Sequence, residues 1–408
     1  MISIDEAHRL IATHVGTLAI EELALADSVG RILSRNICAD VDSPPHRKSL
    51  MDGFAIRSSD VNANLRRLKI IETVVAGGWP QKIVNHGEAM RIMTGAPLPE
   101  GSDAVVMIEK TTTESVGEFN FVVVHPDTIA PGNYVMQPAD NFAANSVVLN
   151  LGHRIRAADV GLLAEVGAHR ILAGSRPTVA VLPTGDELVT CDQQPGRGQI
   201  RNSNGPMLIA LARQLGLTTI DLGIGRDNPR ELATMIQSGL QHDLFILSGG
   251  VSEGLLDLVP ATLQRLGVVE VFHKINIKPG KPMWFGVFSK AEHRCYVFGL
   301  PGNPVSSLVG FHLFVRTAIR RLEMDLKPEP KSVSAKLFES HETRGDRPTY
   351  WPGRWLENNS STRQIQPIAW HGSSDLLALG SADGLIFFPG GSANHDAGKE
   401  VEFYPLAD

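Results

Sequence analysis

The chain has 408 residues, more than one ordinary core accommodates, so it divides into several domains. With 43% hydrophobic and 20% charged residues, a net charge of −6 and no lysine/arginine block, the composition excludes a disordered chain and argues against nucleic acid as the main partner. Three scattered cysteines (Cys38, Cys191, Cys295) without a C-x-x-C pair, an acidic N-terminus and no long apolar run predict a cytoplasmic protein with no signal peptide, no disulfide framework and no membrane span.

In chain order, Ser3 and Glu6 form a capping-box pattern, and Ala7, Leu10, Ile11 and Val15 continue one helix face. Residues 31–40 predict a second helix or a strand before the Ser43-Pro44-Pro45 break. Residues 46–140 read as β, with apolar runs at 68–75, 89–93, 104–108 and 119–124, and Pro131-Gly132-Asn133 closes the block. Residues 145–168 predict a return to helix, with Val160, Leu163, Ala164 and Val166 apolar. From 176 to about 325 strand and helix alternate, which predicts a parallel sheet. Lys327-Pro328-Glu329-Pro330 is a short hinge, and short strands follow, the last two at 384–389 and 400–404.

Residues capable of chemistry cluster where predicted strands end. Leu244 to Leu247 run into Ser248-Gly249-Gly250, then Ser252-Glu253-Gly254 and Asp257. Glycines let backbone N–H groups approach a phosphate, and a following helix N-terminus adds partial positive charge. Thr178 to Leu182 break at Pro183-Thr184-Gly185-Asp186-Glu187, which puts two carboxylates after a strand. Tyr296 to Leu300 run into Pro301-Gly302-Asn303-Pro304, where Asn303 suits a helix N-cap and Pro304 the first helical position. One long helix is then predicted, with Val305, Leu308, Val309, His312, Val315, Ile319 and Leu322 on its buried face. Lys274, Lys278 and Lys281 surround the Pro279-Gly280 turn. Each feature has a plainer reading: Asp257 as an N-cap before Pro260, Asp186 and Glu187 as a solvated pair, Asp227 as a helix start before Pro229, the lysines as a solvated turn.

Taken together, VLPTGDEL, SGGVSEG, IKPGKP and LPGNPVS, in this order and spacing, resemble the molybdopterin molybdenumtransferases, the MoeA and gephyrin E-domain family. Ser49-Leu50-Met51-Asp52-Gly53-Phe54-Ala55 and Arg91-Ile92-Met93-Thr94-Gly95-Ala96-Pro97 match as well, so the resemblance spans the chain. It implies an elongated domain (1–45 and 141–175), a β-rich insertion (46–140), a three-layer MogA-like α/β domain with a mostly parallel sheet (176–326) and a small C-terminal β-barrel (327–408). It implies an enzyme that inserts molybdate into adenylylated molybdopterin with Mg²⁺-dependent release of AMP. It further implies a homodimer whose site joins the α/β domain of one subunit to the insertion of the other, and the molybdopterin adenylyltransferase protein as a partner.

Carried over residue by residue, the resemblance makes Asp52, Thr94, Glu187, Asp227 and Asp257 the catalytic set, with Glu187 and Asp257 as Mg²⁺ carboxylates. It places pterin, phosphate and molybdate on Asp140, Gly185, Asp186, Ser248, Gly249, Gly250 and Ser252. The same role falls to Lys274, Lys278, Gly280, Lys281, Pro301, Gly302, Asn303, Pro304, Ser306, Arg347 and Ser373. The chain departs from the family pattern at Arg47 and Lys48, at Glu253, Leu255, Leu256 and Leu258, at 135–140, where Asp140 alone is retained, and at Pro352, where Arg347 or Arg354 is the replacement for a family arginine. These departures leave a second reading, a catalytically weakened relative that binds pterin or protein partners, and a third, another nucleotide pyrophosphatase.

Overall fold

The computed structural model of the chain describes residues 1–251, 258–356 and 363–407. One six-stranded sheet has the order Thr218–Asp221, Thr178–Pro183, Leu244–Ser248, His293–Leu300, Trp284–Lys290, Val268–His273. The first four strands are parallel, as the alternation of strand and helix predicts. Trp284–Lys290 alone runs antiparallel to its neighbours, His293–Leu300 and Val268–His273, so the sheet is mostly parallel, as expected. Trp284–Lys290 turns back into His293–Leu300 through a link containing Ala291 at φ 53°, too short for the crossover that parallel neighbours need.

Both faces of this sheet are covered. Val179, Val181, Leu244 and Ile246 join one core with Leu208 and Ala212 of helix Asn204–Gln214 and with the segment after Pro304. Ala180, Leu182, Phe245 and Leu247 join another with Leu232 and Ile236 of Pro229–Gly239 and Val259 and Leu263 of Leu258–Arg265. A strand covered on both faces is apolar at successive positions, which is why these strands read as unbroken runs. Helix Ile4–His14 adds Ala7, Ile11 and Val15 to the first core. Its Ser3 Oγ accepts from Glu6 N–H at 3.1 Å, while the Glu6 carboxylate reaches forward to Arg9.

The helix expected after Pro304 is interrupted. Pro304–Gly310 passes into a π turn at Phe311–Val315 before Arg316–Leu322. The segment is buried nearly all round, including Ser306, Ser307, Phe311 and Phe314, so the slip of a π turn exposes nothing. His312 is a core residue in contact with Arg316.

A second six-stranded sheet has the order Ala104–Met107, Gly53–Ile56, Glu88–Ile92, Arg67–Val74, Phe119–Val124, Thr111–Val116. Thr111–Val116 has no apolar signature because it is an exposed edge strand. Residues 145–168 are helical only at Ala157–Glu165. Val147–Leu149 is instead a strand paired with Ile37–Cys38, which also resolves 31–40 toward strand. Asn145 and Gly152, at φ 64° and 80°, bracket it with left-handed backbone that a helix excludes. Val333–Leu337, Gln364–Pro367, Thr349–Trp355, Gly384–Phe388 and Glu400–Pro405 close a five-stranded barrel.

Candidate active site

Pro183, Ser248 and Leu300 lie in register at the carboxyl ends of three adjacent parallel strands. Open α/β sheets bind ligands outside such ends. The three following turns, with Asp227, line a cavity of about 640 Å³ that contains Gly185, Glu187, Ser248, Gly249, Gly250, Pro301, Gly302, Asn303 and Pro304. Gly249 and Gly250 have φ of +92° and +62°, and a Cβ at either would meet Thr184 O or Oγ1 at 2.5 and 2.9 Å. No side chain fits there, so the backbone itself faces the cavity.

The carboxylates of this cavity are held from below. Arg226 Nη1 donates to Gly185 O, Asp186 O and Leu188 O at 3.3, 3.1 and 2.9 Å, which clamps the loop carrying Glu187. Asp186 Oδ1 accepts from Asp227 N–H at 3.1 Å. Asn228, not Asp227, caps the next helix, so the helix-start reading of Asp227 gives way to its neighbour. Glu187 and Asp227 are hard oxygen donors on the cavity wall, the set that Mg²⁺ takes when phosphate oxygens and water complete its shell. Among the described residues no group of three metal-ligating side chains is gathered.

A second cavity of about 510 Å³ shares Pro282, Pro301 and Asn303 with the first. Lys278, Gly280, Lys281, Ser306, Arg347 and Ser373 line it, facing Trp351 and Trp370. Arg347 Nη1 donates to Ile277 O at 2.9 Å, tying the barrel to the lysine turn. Arg354 pairs with Gln366 on the barrel and lines neither cavity, so Arg347 is the arginine on the wall. Trp351 and Trp370 meet edge-to-face at 4.9 Å. Such an apolar wall lowers the local dielectric and strengthens the attraction of cations for an oxyanion. Asn303 holds the N-cap position, but its side chain does not cap the helix. Its Nδ2 donates to Ser373 Oγ at 2.9 Å, and Val305 N–H donates to Ser373 O at 3.0 Å.

The remaining expected residues lie elsewhere. Thr94 N–H and Oγ1 donate to Asp52 Oδ1 at 2.6 and 2.8 Å, in the insertion sheet. The Thr94 backbone donor first, and its hydroxyl second, hold the Asp52 carboxyl below the usual carboxylate range. Asp140 Oδ2 accepts from Gln137 N–H at 2.6 Å in a turn. Neither cavity is lined by Asp52, Thr94, Asp140, Asp186 or Lys274. Ser252, Glu253 and Asp257 fall outside the described residues. Sequence reasoning passed over Arg226, Asn204, Trp351 and Trp370. The polar run Arg201-Asn202-Ser203-Asn204 before an apolar helix was a readable signal, whereas the two tryptophans meet only because the barrel closes.

Family models match three stretches: the MoeA N-terminal region (domain I and II) at 2–167, the "Probable molybdopterin binding domain" at 180–321 and the MoeA C-terminal region (domain IV) at 334–406. A molybdopterin molybdenumtransferase from Staphylococcus epidermidis is 32% identical over 408 residues, covering 98% of this chain and 94% of the relative. The chain belongs to the MoeA family. A Staphylococcus aureus relative of the same name is 33% identical over the same shares of the two chains. Of two solved molybdopterin biosynthesis MoeA proteins from Pyrococcus horikoshii, one is 30% identical with a TM-score of 0.78, covering 100% of this chain and 99% of its own. The other is 25% identical with a TM-score of 0.81, covering 99% and 100%. The expected fold class, a MogA-like α/β part with a β-rich insertion and a small terminal barrel, therefore holds for this MoeA-family chain.

Proposed function

We propose that this chain is a molybdopterin molybdenumtransferase that moves molybdenum from molybdate onto the dithiolene of adenylylated molybdopterin and releases AMP. One observation carries the reading: a glycine-turn cavity with two carboxylates and a cavity with two lysines and an arginine adjoin at one end of the sheet and share Pro301 and Asn303. A phosphate-bearing pterin and an oxyanion need that pair of environments side by side.

In this reading the backbone of Ser248-Gly249-Gly250 and Pro301-Gly302 cradles the phosphates, and Lys278, Lys281 and Arg347 hold molybdate, with Ser306 and Ser373 as hydroxyl donors. Glu187, with Asp257 as carried over from the family motif, would hold Mg²⁺, and Asp227 supports them. Bound there, Mg²⁺ would neutralise charge on the pyrophosphate as its bond breaks. Arg226 keeps the Glu187 loop in place, and Asn303 aligns the two cavities. Lys274, Asp186 and Asp140 act on the pterin from outside the two cavities.

The reading also assigns an obligate homodimer, in which Asp52 and Thr94 of one subunit complete the strand-end site of the other, and a handover from the molybdopterin adenylyltransferase protein. The four-part domain division given above belongs to it. So does a cytoplasmic location: the three cysteines are free, and among the described residues no helix is long and apolar enough to cross a membrane. The relatives carry the name of a transferase, and most proposed groups are retained, so a binding-only scaffold is not favoured. The test is molybdate-dependent release of AMP from adenylylated molybdopterin by the purified chain. AMP release that ignores molybdate would indicate a plain pyrophosphatase, and none at all would sink the enzyme reading.

A further inference from the structure

Asn204 opens helix Asn204–Gln214 and is buried at 7% exposure on the floor of the glycine-turn cavity. Its Nδ2 donates to Ser248 Oγ and to Gly302 O, both at 2.7 Å. A carbonyl only accepts, so the atom facing Gly302 must be the amide nitrogen, and the orientation of the side chain is settled. One side chain therefore ties the turn after Leu244–Ser248 to the turn after His293–Leu300. The backbone bond from Gly249 N–H to Leu300 O, at 3.1 Å, lies at the root of the two turns. Beyond it side chains take over: Asn204, and Ser248 Oγ against Pro301 O at 3.3 Å.

Two further atoms are out of the ordinary. Among the described residues, Asn204 Oδ1 and Thr184 Oγ1 are buried with no hydrogen-bond partner. Buried polar atoms are nearly always paired, and two exceptions beside one cavity mark a place shaped by something other than stability. The Asn204 amide is thus spent on one task, the link between the turns.

We propose that Asn204 is a positioning residue that sets the separation of the two glycine turns, so that both engage one phosphate group of the ligand. This rests on the phosphate reading of the cavity. Aspartate in its place has nearly the same shape but, ionised, offers no donor to Gly302 O. Serine is smaller yet keeps a donor. A role in packing alone favours aspartate over serine, and a role in holding the turns favours serine over aspartate.

The experiment is calorimetric binding of inorganic pyrophosphate and, separately, molybdate to the full chain, unaltered and as Asn204→Asp and Asn204→Ser. Pyrophosphate affinity should fall about tenfold or more in Asn204→Asp and clearly less in Asn204→Ser, while molybdate affinity changes by less than about threefold in both. Aspartate tolerated as well as serine, or parallel loss of both anions, overturns the inference. No pyrophosphate binding by the unaltered chain overturns the phosphate reading itself, and this inference with it.

Discussion

The strand-end turns and the Asp52–Thr94 pair are both polar turns rich in glycine, yet they stand in different relations to the fold. The first collects residues from 183 to 376 at one end of the sheet, because parallel pairing brings the carboxyl ends of three adjacent strands to the same side. The second is closed on itself: Thr94 spends its N–H and hydroxyl on Asp52, and no residue of 46–140 lines either cavity. Topology assembles the first within one chain. In the split-site reading proposed above, the second would meet the chemistry only across a subunit boundary.

The sharpest test of that contrast is Glu187→Ala. It should cut AMP release by roughly a hundredfold or more, as expected when a group that organises transition-state charge is lost. The side chain is exposed, so thermal unfolding should be unchanged. Near-normal turnover in the folded variant would remove Glu187 from the strand-end site. Next in size is Lys281→Ala, which should weaken molybdate binding about tenfold, with arginine no substitute, because a planar fork fits a compact oxyanion differently from an ammonium. Unchanged affinity in calorimetry would leave the lysine turn a solvated surface feature.

Mixing Asp52→Ala with Glu187→Ala chains probes the comparison from the other side. If Asp52 acts across a dimer, half the exchanged dimers carry one intact site of two, and activity should recover to roughly a quarter of that of the unaltered chain. No recovery despite proven exchange, or a monomer in sedimentation, would break the split-site model. The smallest effect concerns pH. Because the Thr94 donors hold the Asp52 carboxyl below its ordinary range, the stability it contributes is present above that range and lost as pH falls through the lowered value. Thr94→Val removes the hydroxyl donor and should shift the Asp52 titration, followed by carboxyl NMR, upward. An unmoved titration would mean that the backbone N–H alone sets it.

The contrast also explains what could be read in advance. Leu244–Ser248 and Thr178–Pro183 were legible because burial on both faces leaves only apolar residues, and the turns after them because glycine and proline mark breaks. The reversed strand Trp284–Lys290, the strand Val147–Leu149 and the π turn were not, since each depends on neighbours distant in sequence. The cavity residues from motif-bearing turns stood out as candidates by type and spacing, and the family resemblance gave them their expected roles. Arg226 was missed because its task is to grip three carbonyls, and a lone arginine before an aspartate announces nothing. The departures at Arg47 and Lys48 fall where Arg47 Nη1 reaches Ser102 O at 3.4 Å and Lys48 bridges Pro97, within the insertion itself.

The edge-to-face pair Trp351–Trp370 gives the cation-lined cavity an optical property. Of the five tryptophans in the chain, two stand on the wall where Lys278, Lys281 and Arg347 converge. Indole emission responds to nearby charge and water, so an oxyanion entering this space should change the intrinsic fluorescence of the protein without any added label. The chain thus supplies its own dye, placed beside the oxyanion site proposed above.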